Sequence, residues 1–141
     1  MITTGGIAMK ICIPVLSTAL FLNVAPFTPA LAQDQTLRTI DVPAGKTSQL
    51  SVHSGAFADC SPKPLVEIRV DKIPTAGTLA VRDARVRVRT GNCAGKEYPA
   101  RIVLYQAPVK VGATDSASYT VTSGDRVNIF GVNINVVAPK P

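Results

Sequence analysis

Residues 127–136 read V-N-I-F-G-V-N-I-N-V, and an apolar side chain occupies almost every second position of this stretch. That period of two is typical of a β-strand that buries one face. The apolar set lies at odd positions before Gly131 and at even positions after it. A shift of one residue would turn every side chain to the opposite face, so the pattern predicts a β-bulge near Gly131. The positions then expected to face solvent are Asn128, Asn133 and Asn135.

The composition of the remaining chain also favours strands. From Gln33 to Pro141, Val, Ile and Thr supply 30 residues, whereas Leu, Glu and Met together supply seven. The first three residue types favour strands and the last three favour helices, and no window has a sustained period of 3.6. The spacing predicts an all-β fold, an immunoglobulin-like antiparallel β-sandwich of about seven to nine strands. The segments predicted as strands are 36–42, 48–54, 65–73, 78–89 (one bent strand or two), 100–106, 116–122 and 127–136.

The first 32 residues have the three parts of a secretory signal peptide. Lys10 supplies the positive charge, residues 11–25 form an apolar run, and Ala30-Leu31-Ala32 matches an A-x-A cleavage site. The run is too short for a transmembrane helix, which needs about 20 apolar residues. The sequence therefore predicts a periplasmic or secreted protein that is cleaved after Ala32. It also predicts a single domain at 33–141 without stable membrane insertion.

Two cysteines, Cys60 and Cys93, lie beyond the predicted signal peptide. A pair of cysteines in an exported domain predicts one disulfide bond, here between the loops at 55–64 and 90–99. A metal site or a catalytic thiol is the other interpretation of such residues. A four-ligand zinc site needs more than these two cysteines and the single histidine of the chain. We therefore expect the disulfide, with no bound metal and no cofactor.

The C-terminal two-thirds of this region resembles the immunoglobulin-like and cadherin-like domains of bacterial exported proteins. Four segments carry the resemblance, in order: a proline followed by Gly-Thr-Leu at 73–79, a strand ending in tyrosine and proline at 103–108, a glycine, an aspartate and Tyr-x-Val at 112–121, and the closing strand at 127–136. The resemblance implies a non-catalytic β-sandwich module with a binding or structural role in the cell envelope. The sequence lacks the acidic clusters with which cadherins bind calcium, so adhesion by calcium-rigidified arrays is not implied.

The most conspicuous charged segment is R-D-A-R-V-R-V-R at 82–89, in a chain of formal net charge +6. Strand alternation places Arg85, Arg87 and Arg89 on one face, about 6.6–7 Å apart, and Arg82 precedes them. One interpretation is a solvated edge strand whose charge prevents pairing with other chains. The other is an anion-binding face that recognises an anionic envelope polymer or an acidic partner protein. Nucleic acid is a poorer candidate, because the compartment is wrong and stacking aromatic residues are few.

The sequence offers no convincing catalytic residues. His53 precedes Ser54 and lies near Asp59, but a triad also needs an oxyanion hole, and no G-x-S-x-G motif occurs. We expect His53 to be an exposed strand residue and Asp115 to cap a turn before a strand. The protein is therefore expected not to be an enzyme. The alternative is an envelope enzyme or enzyme inhibitor that uses the disulfide-tied loops around Cys60 and Cys93.

The signal-peptide interpretation predicts that the exported protein begins at or near Gln33. N-terminal sequencing of protein recovered from the periplasm or the medium measures this directly. A chain that still begins at Met1 or Met9 would contradict the interpretation.

Overall fold

The structure is a computed structural model that describes residues 34–141, and the predicted signal peptide lies outside these residues. Every predicted strand is present with its ends shifted by a few residues, and the segment 78–89 forms one strand rather than two. Within the described residues, no helix is long and apolar enough to cross a membrane. The strands are β1 (Asp34–Pro43), β2 (Thr47–Ser54), β3 (Glu67–Lys72), β4 (Thr78–Arg87), β5 (Glu97–Gln106), β6 (Thr114–Ser123) and β7 (Arg126–Val137).

The strands form two sheets, ordered β1-β7-β6-β3 and β2-β5-β4. The fold is thus the predicted all-β sandwich. Neighbouring strands are antiparallel except β1 and β7, which are parallel. No hairpin joins the first strand to the last, so no short connection imposes antiparallel pairing on them. The order leaves β4 and β2 as the two edges of the smaller sheet.

The core lies between the two sheets. Its largest fully buried side chains are Tyr105 of β5 and Tyr119 of β6. Apolar residues from both sheets surround these rings, and burial of each aliphatic side chain contributes about 1.5–3 kcal/mol. The fully buried aliphatic residues of this cluster are Val42, Val103, Val132, Ile134 and Val136.

The predicted bulge at Gly131 is wrong. β7 pairs with both β6 and β1 in continuous register through this residue. The even-numbered Phe130 packs against the core and stacks on Tyr119, with ring centroids 5.3 Å apart. Val127 and Ile129 therefore lie on the opposite face of β7, where they are half-buried. Of the three asparagines, Asn133 and Asn135 are exposed as expected, and Asn128 is half-buried.

The register irregularities lie in two edge strands instead. The pairing of β2 shifts between Gln49 and Ser51, and the pairing of β3 shifts between Val70 and Lys72. An edge strand has only one neighbour, so an extra residue disturbs a single ladder. Bulges at edges also hinder pairing with other chains. The shift in β2 has a second effect, because it changes which residues of that strand face the core.

The carboxylate of Asp115 connects three elements where β6 begins. It accepts hydrogen bonds from the backbone N–H groups of Thr75, Ala76 and Gly77 at 2.8–3.1 Å. It also accepts a hydrogen bond from the Tyr105 hydroxyl at 2.7 Å. The turn between β3 and β4 is thereby fastened to β5 and β6 through one side chain. The sequence predicted a local turn cap at Asp115, and these bonds reach much further along the chain.

The hydrogen bonds keep the Asp115 carboxylate ionised. Burial alone would raise the pKa of Asp115. The bonds from the Tyr105 hydroxyl and from the backbone N–H groups of Gly77, Thr75 and Ser116 outweigh burial and hold the pKa at about 2. Burial, together with the hydrogen bond to Asp115 and its charge, raises the pKa of Tyr105 well above the ordinary phenol range. A carboxylate and a neutral phenol therefore face each other at neutral pH.

Gly77 is needed for this close approach. A Cβ atom at this position would collide with the Gln106 carbonyl oxygen and with the ring and hydroxyl of Tyr105. The absence of a side chain lets the turn lie against β5, where its N–H groups reach the carboxylate.

Asp115→Asn should lower the free energy of unfolding by about 1 kcal/mol at neutral pH, because it removes the charged acceptor of these hydrogen bonds at a site where solvent screens part of the interaction. The folded-state pKa lies below the unfolded value of 3.8. The stabilisation is therefore present above about pH 4 and is lost as the pH falls towards 2. Urea unfolding at a series of pH values measures the difference between the wild type and the variant, which should shrink between pH 4 and pH 2.

Asp125→Asn is the matched control, because this carboxylate is exposed in the turn between β6 and β7. It should change the free energy of unfolding by less than about 0.5 kcal/mol. A difference between Asp115→Asn and the wild type that stays constant from pH 7 to pH 2 would contradict the assignment.

Candidate functional site

The hairpin of β4 and β5 carries the arginines that the sequence analysis singled out, three of them on β4 and Arg89 in the connection that follows. β2 stops pairing with β5 at Ser54 and Ala100, whereas β4 and β5 stay paired beyond that point, as far as Arg87 and Glu97. Beyond the strands, the Val88 N–H donates to the Lys96 carbonyl oxygen at 3.0 Å and extends the hairpin. We call this extension, together with the loop 55–66 that packs beside it, the hairpin end of the sandwich.

The four candidate arginines are all exposed, but they do not share one face. The register of β4 with β5 is unbroken and places Arg87 opposite Glu97. Side chains alternate along a strand, so Arg85 and Arg87 lie on one face and Arg82 lies on the other. Arg82 borders a separate shallow depression of about 290 Å³ on the outer face of the smaller sheet. Arg89 lies two residues beyond the end of β4, in the connection to β5.

Glu97 shares its carboxylate between two of the arginines. The Arg87 Nη2 donates to Oε1 at 3.0 Å, and the Arg85 Nε lies 3.7 Å from Oε2. These side chains are solvent-exposed, so such ion pairs contribute about 0–1 kcal/mol each. One carboxylate cannot neutralise two guanidinium groups, and the pair keeps a net positive charge to which Arg89 adds. Sequence reasoning missed Glu97, because only the strand register places it opposite Arg87.

Another arginine, Arg101, holds the hairpin to the neighbouring sheet. Its Nε donates to the Asp83 carboxylate at 3.1 Å, and its Nη1 donates to the Val66 carbonyl oxygen at 2.8 Å. The second bond reaches the residue that precedes β3. The Asp83 carboxylate therefore pairs with Arg101 and not with the exposed arginines of β4.

The predicted disulfide between Cys60 and Cys93 is present, with Cα atoms 5.5 Å apart. It joins the loop after β2 to the loop after β4, as expected. The hydroxyl of Tyr98, a side chain only 3% exposed, donates to the Cys60 carbonyl oxygen at 3.0 Å. The Asn92 side chain donates to the carbonyl oxygen of Ala58 at 3.3 Å. The hairpin is thus fixed to a second loop, and the disulfide is compatible with an oxidising extracellular compartment.

A groove of about 540 Å³ lies between the disulfide-tied loop and the turn between β6 and β7. Phe57 and Leu65 give it exposed apolar surface, and the Lys63 Nζ lies 5.5 Å above the Phe57 ring. Asp125 and Arg126 place opposite charges on the other side. Across residues 34–141, no three side chains of His, Cys, Asp or Glu are grouped to hold a metal ion.

His53 is not the exposed residue that the sequence suggested. It is half-buried, and its Nε2 lies 2.9 Å from the Ser51 Oγ. The register shift at Leu50 explains the difference, because a bulge turns the following residues of β2 to the opposite faces. Without the shift, side-chain alternation would place His53 on the opposite face of β2 from the buried Leu50, away from the core. The side chain of Asp59 bonds Ser61 instead, so the structure does not assemble a triad from His53 and Asp59.

His53 belongs to a packed cluster between the sheets. Its ring makes edge contacts with Tyr119 and Phe130, and the Tyr119 hydroxyl donates to the Ser51 Oγ at 2.8 Å. Burial and, second, the charge of Arg38 lower the pKa of His53. The ring is therefore neutral at neutral pH and contributes to packing.

Comparisons with known proteins do not identify a family. No protein-family model matches the chain, and no curated protein matches it closely enough to indicate a relationship. The function proposed below therefore rests on the geometry and charge of the chain itself.

Replacement of both cysteines by serine should lower the free energy of unfolding by roughly 2–5 kcal/mol, as in other small secreted domains that lose a disulfide. Urea unfolding of Cys60→Ser/Cys93→Ser measures the loss. The wild type under reducing conditions should approach the same midpoint, whereas without reductant it should keep its higher one. An unchanged unfolding midpoint in the double variant would show that the disulfide does not stabilise the hairpin end.

Proposed function

We propose that the chain is an exported, non-catalytic β-sandwich module of the cell envelope that binds an anionic polymer through Arg85, Arg87 and Arg89. The excess of exposed guanidinium groups over carboxylates on the hairpin carries the proposal. Residues 82–101 contain six basic residues and two acidic ones. One acid is directed to Arg101, and the other is divided between two arginines.

The hairpin presents these charges on a fixed support. The Cys60–Cys93 disulfide and the Tyr98 hydroxyl both connect the hairpin to Cys60, and the Arg101 side chain connects it to the residue before β3. Fixed charges lose less conformational freedom when a ligand binds than charges on a flexible loop do. Guanidinium groups donate paired hydrogen bonds to phosphate and carboxylate oxygens, and the alternate spacing along β4 suits a chain with repeated charges.

Arg82 takes a smaller part in this proposal than the sequence suggested. It lies on the opposite face of β4 from Arg85 and Arg87, so one straight segment of polymer does not contact all three. Its charge adds to the positive field that attracts an anion to this end of the molecule.

The predicted signal peptide and the disulfide support an envelope location, and envelope polymers carry phosphates and carboxylates. The relation to bacterial immunoglobulin-like and cadherin-like domains is part of the same proposal. The arrangement of four strands facing three in a Greek-key-like sandwich supports it. The packing of His53 against Ser51 and Tyr119 supports a non-catalytic role, because it places the only histidine inside the sandwich.

Replacement of Arg85, Arg87 and Arg89 by Gln should weaken binding to inorganic polyphosphate at least tenfold, because it removes the three fixed charges that face the polymer. Wild-type binding should weaken steeply with salt, since screening shortens to about 8 Å at physiological ionic strength. Fluorescence anisotropy of labelled polyphosphate measures both effects. The unfolding midpoint of the variant should stay close to that of the wild type.

Two variants make the test specific. Lys46→Gln/Lys72→Gln/Lys110→Gln removes the same number of charges elsewhere and should leave polyphosphate binding within about twofold. Glu97→Gln frees Arg85 and Arg87 from their shared carboxylate and should strengthen binding several-fold. If the arginine and lysine variants lost the same affinity for polyphosphate, binding would depend on net charge alone, and the proposed site would be refuted. If the hairpin bound polyglutamate but not polyphosphate, its partner would be an acidic protein and not an anionic polymer.

A further inference from the structure

The end of the sandwich opposite the hairpin has a different surface, and we call it the lysine end. It consists of the turn 44–46, the loop 73–77 and the loop 107–113, which meet where β5 ends and β6 begins. The loop 107–113 contains the sequence P-V-K-V-G at 108–112. The sequence analysis assigned no function to Val109, Lys110 and Val111, which lie between the predicted strands.

The lysine end exposes apolar side chains on its loops. Val109 is 87% exposed, which is the largest value among the exposed large apolar residues of the described chain. Val111, two residues later, is 52% exposed, and Ile73 in the neighbouring loop is 75% exposed. Isolated exposed apolar residues are common on protein surfaces. Two exposed valines in one loop are a stronger signal, because each would gain free energy by leaving water.

The backbone holds the valine loop outward. The Gly45 N–H donates to the Pro108 carbonyl oxygen and the Ala107 N–H donates to the Lys46 carbonyl oxygen, both at 2.9 Å. On the other side, the Gly112 N–H donates to the Val136 carbonyl oxygen at 2.8 Å. One base of the loop is therefore tied to the turn 44–46 and the other to β7. Val109 and Val111 cannot fold inward without breaking these bonds.

Basic residues surround the valines. The side chains of Lys46, Lys72, Lys110 and Lys140 are all exposed at this end. The lysines outnumber the three carboxylates at this end: Asp41 accepts a hydrogen bond from the Asn135 side chain at 3.0 Å, Asp71 pairs with Arg69 at 2.9 Å, and Asp115 accepts the bonds described above. The surface that the lysine end presents is thus apolar at the loop tip and positively charged around it.

We propose that the lysine end docks on the surface of a lipid bilayer that contains anionic lipids. Val109 and Val111 enter the interfacial region, and Lys46 and Lys110 contact lipid phosphates. The two exposed valines lie in one loop outside the nearby depression that Lys46 and Lys140 border, so they are free to contact an extended surface such as a bilayer. The arginines lie at the opposite end of the sandwich, so docking leaves the hairpin free to bind a polymer.

Sedimentation with lipid vesicles tests the proposal on the chain purified after export. Vesicles of phosphatidylcholine alone should bind weakly, and vesicles that also contain phosphatidylglycerol should bind more strongly. Val109→Ser/Val111→Ser should reduce binding to the anionic vesicles about tenfold. Val109→Leu/Val111→Leu should preserve or strengthen it. Lys46→Gln/Lys110→Gln should remove most of the preference for phosphatidylglycerol.

Leu37→Ser is the matched control, because Leu37 is 69% exposed on β1 and lies away from the loop tip. It should leave vesicle binding unchanged, as should the replacement of Arg85, Arg87 and Arg89 by Gln. Three results would overturn the proposal: no binding to anionic vesicles, equal losses in the valine variant and in Leu37→Ser, or loss of binding in the arginine variant. The last result would show that the vesicles bind at the hairpin end.

Discussion

The carboxylate of Asp115 is the contact on which the arrangement of the sandwich depends. It brings together the turn before β4, the buried Tyr105 of β5 and the start of β6 through hydrogen bonds of 2.7–3.1 Å. Apolar packing between the two sheets is non-directional, and the other polar contacts between them are single hydrogen bonds, such as that of the Tyr119 hydroxyl to Ser51. An ionised acceptor in a partly buried site fixes the turn in one position, and the missing side chain of Gly77 makes room for it. This position also sets where β4 begins.

The start of β4 determines what the hairpin presents. With β4 held in one register against β5, Arg87 lies opposite Glu97, and Arg82 falls on the other face. A register displaced by one residue would exchange the two faces of β4 and direct Val86 to solvent. At the far end, the Cys60–Cys93 disulfide and the Tyr98 hydroxyl fix the same hairpin. Charge placement on the surface therefore follows from polar contacts at both ends of the strand pair.

The sequence predicted what depends on local pattern and failed where distant residues decide. Alternation and turn residues predicted all seven strands, and two cysteines in an exported chain predicted the disulfide. The same alternation misplaced the parity of β7, because Val127 is apolar on an outward face that is half-buried. It also misplaced His53, since the bulge at Leu50 is visible only once β2 is paired with β5. The partners of Asp115 are up to 40 residues away in sequence, beyond the reach of any local motif.

The two ends of the sandwich present different chemistry, guanidinium groups on a rigid hairpin and valines among lysines on a tied loop. A titration of isotope-labelled protein with polyphosphate, followed by NMR of backbone amides and arginine side chains, tests directly where an anion binds. The account predicts that the signals of Arg85, Arg87 and Arg89 shift together, whereas those of Lys46 and Val109 stay unchanged. Shifts centred on the lysine end, or spread over every basic residue alike, would contradict it.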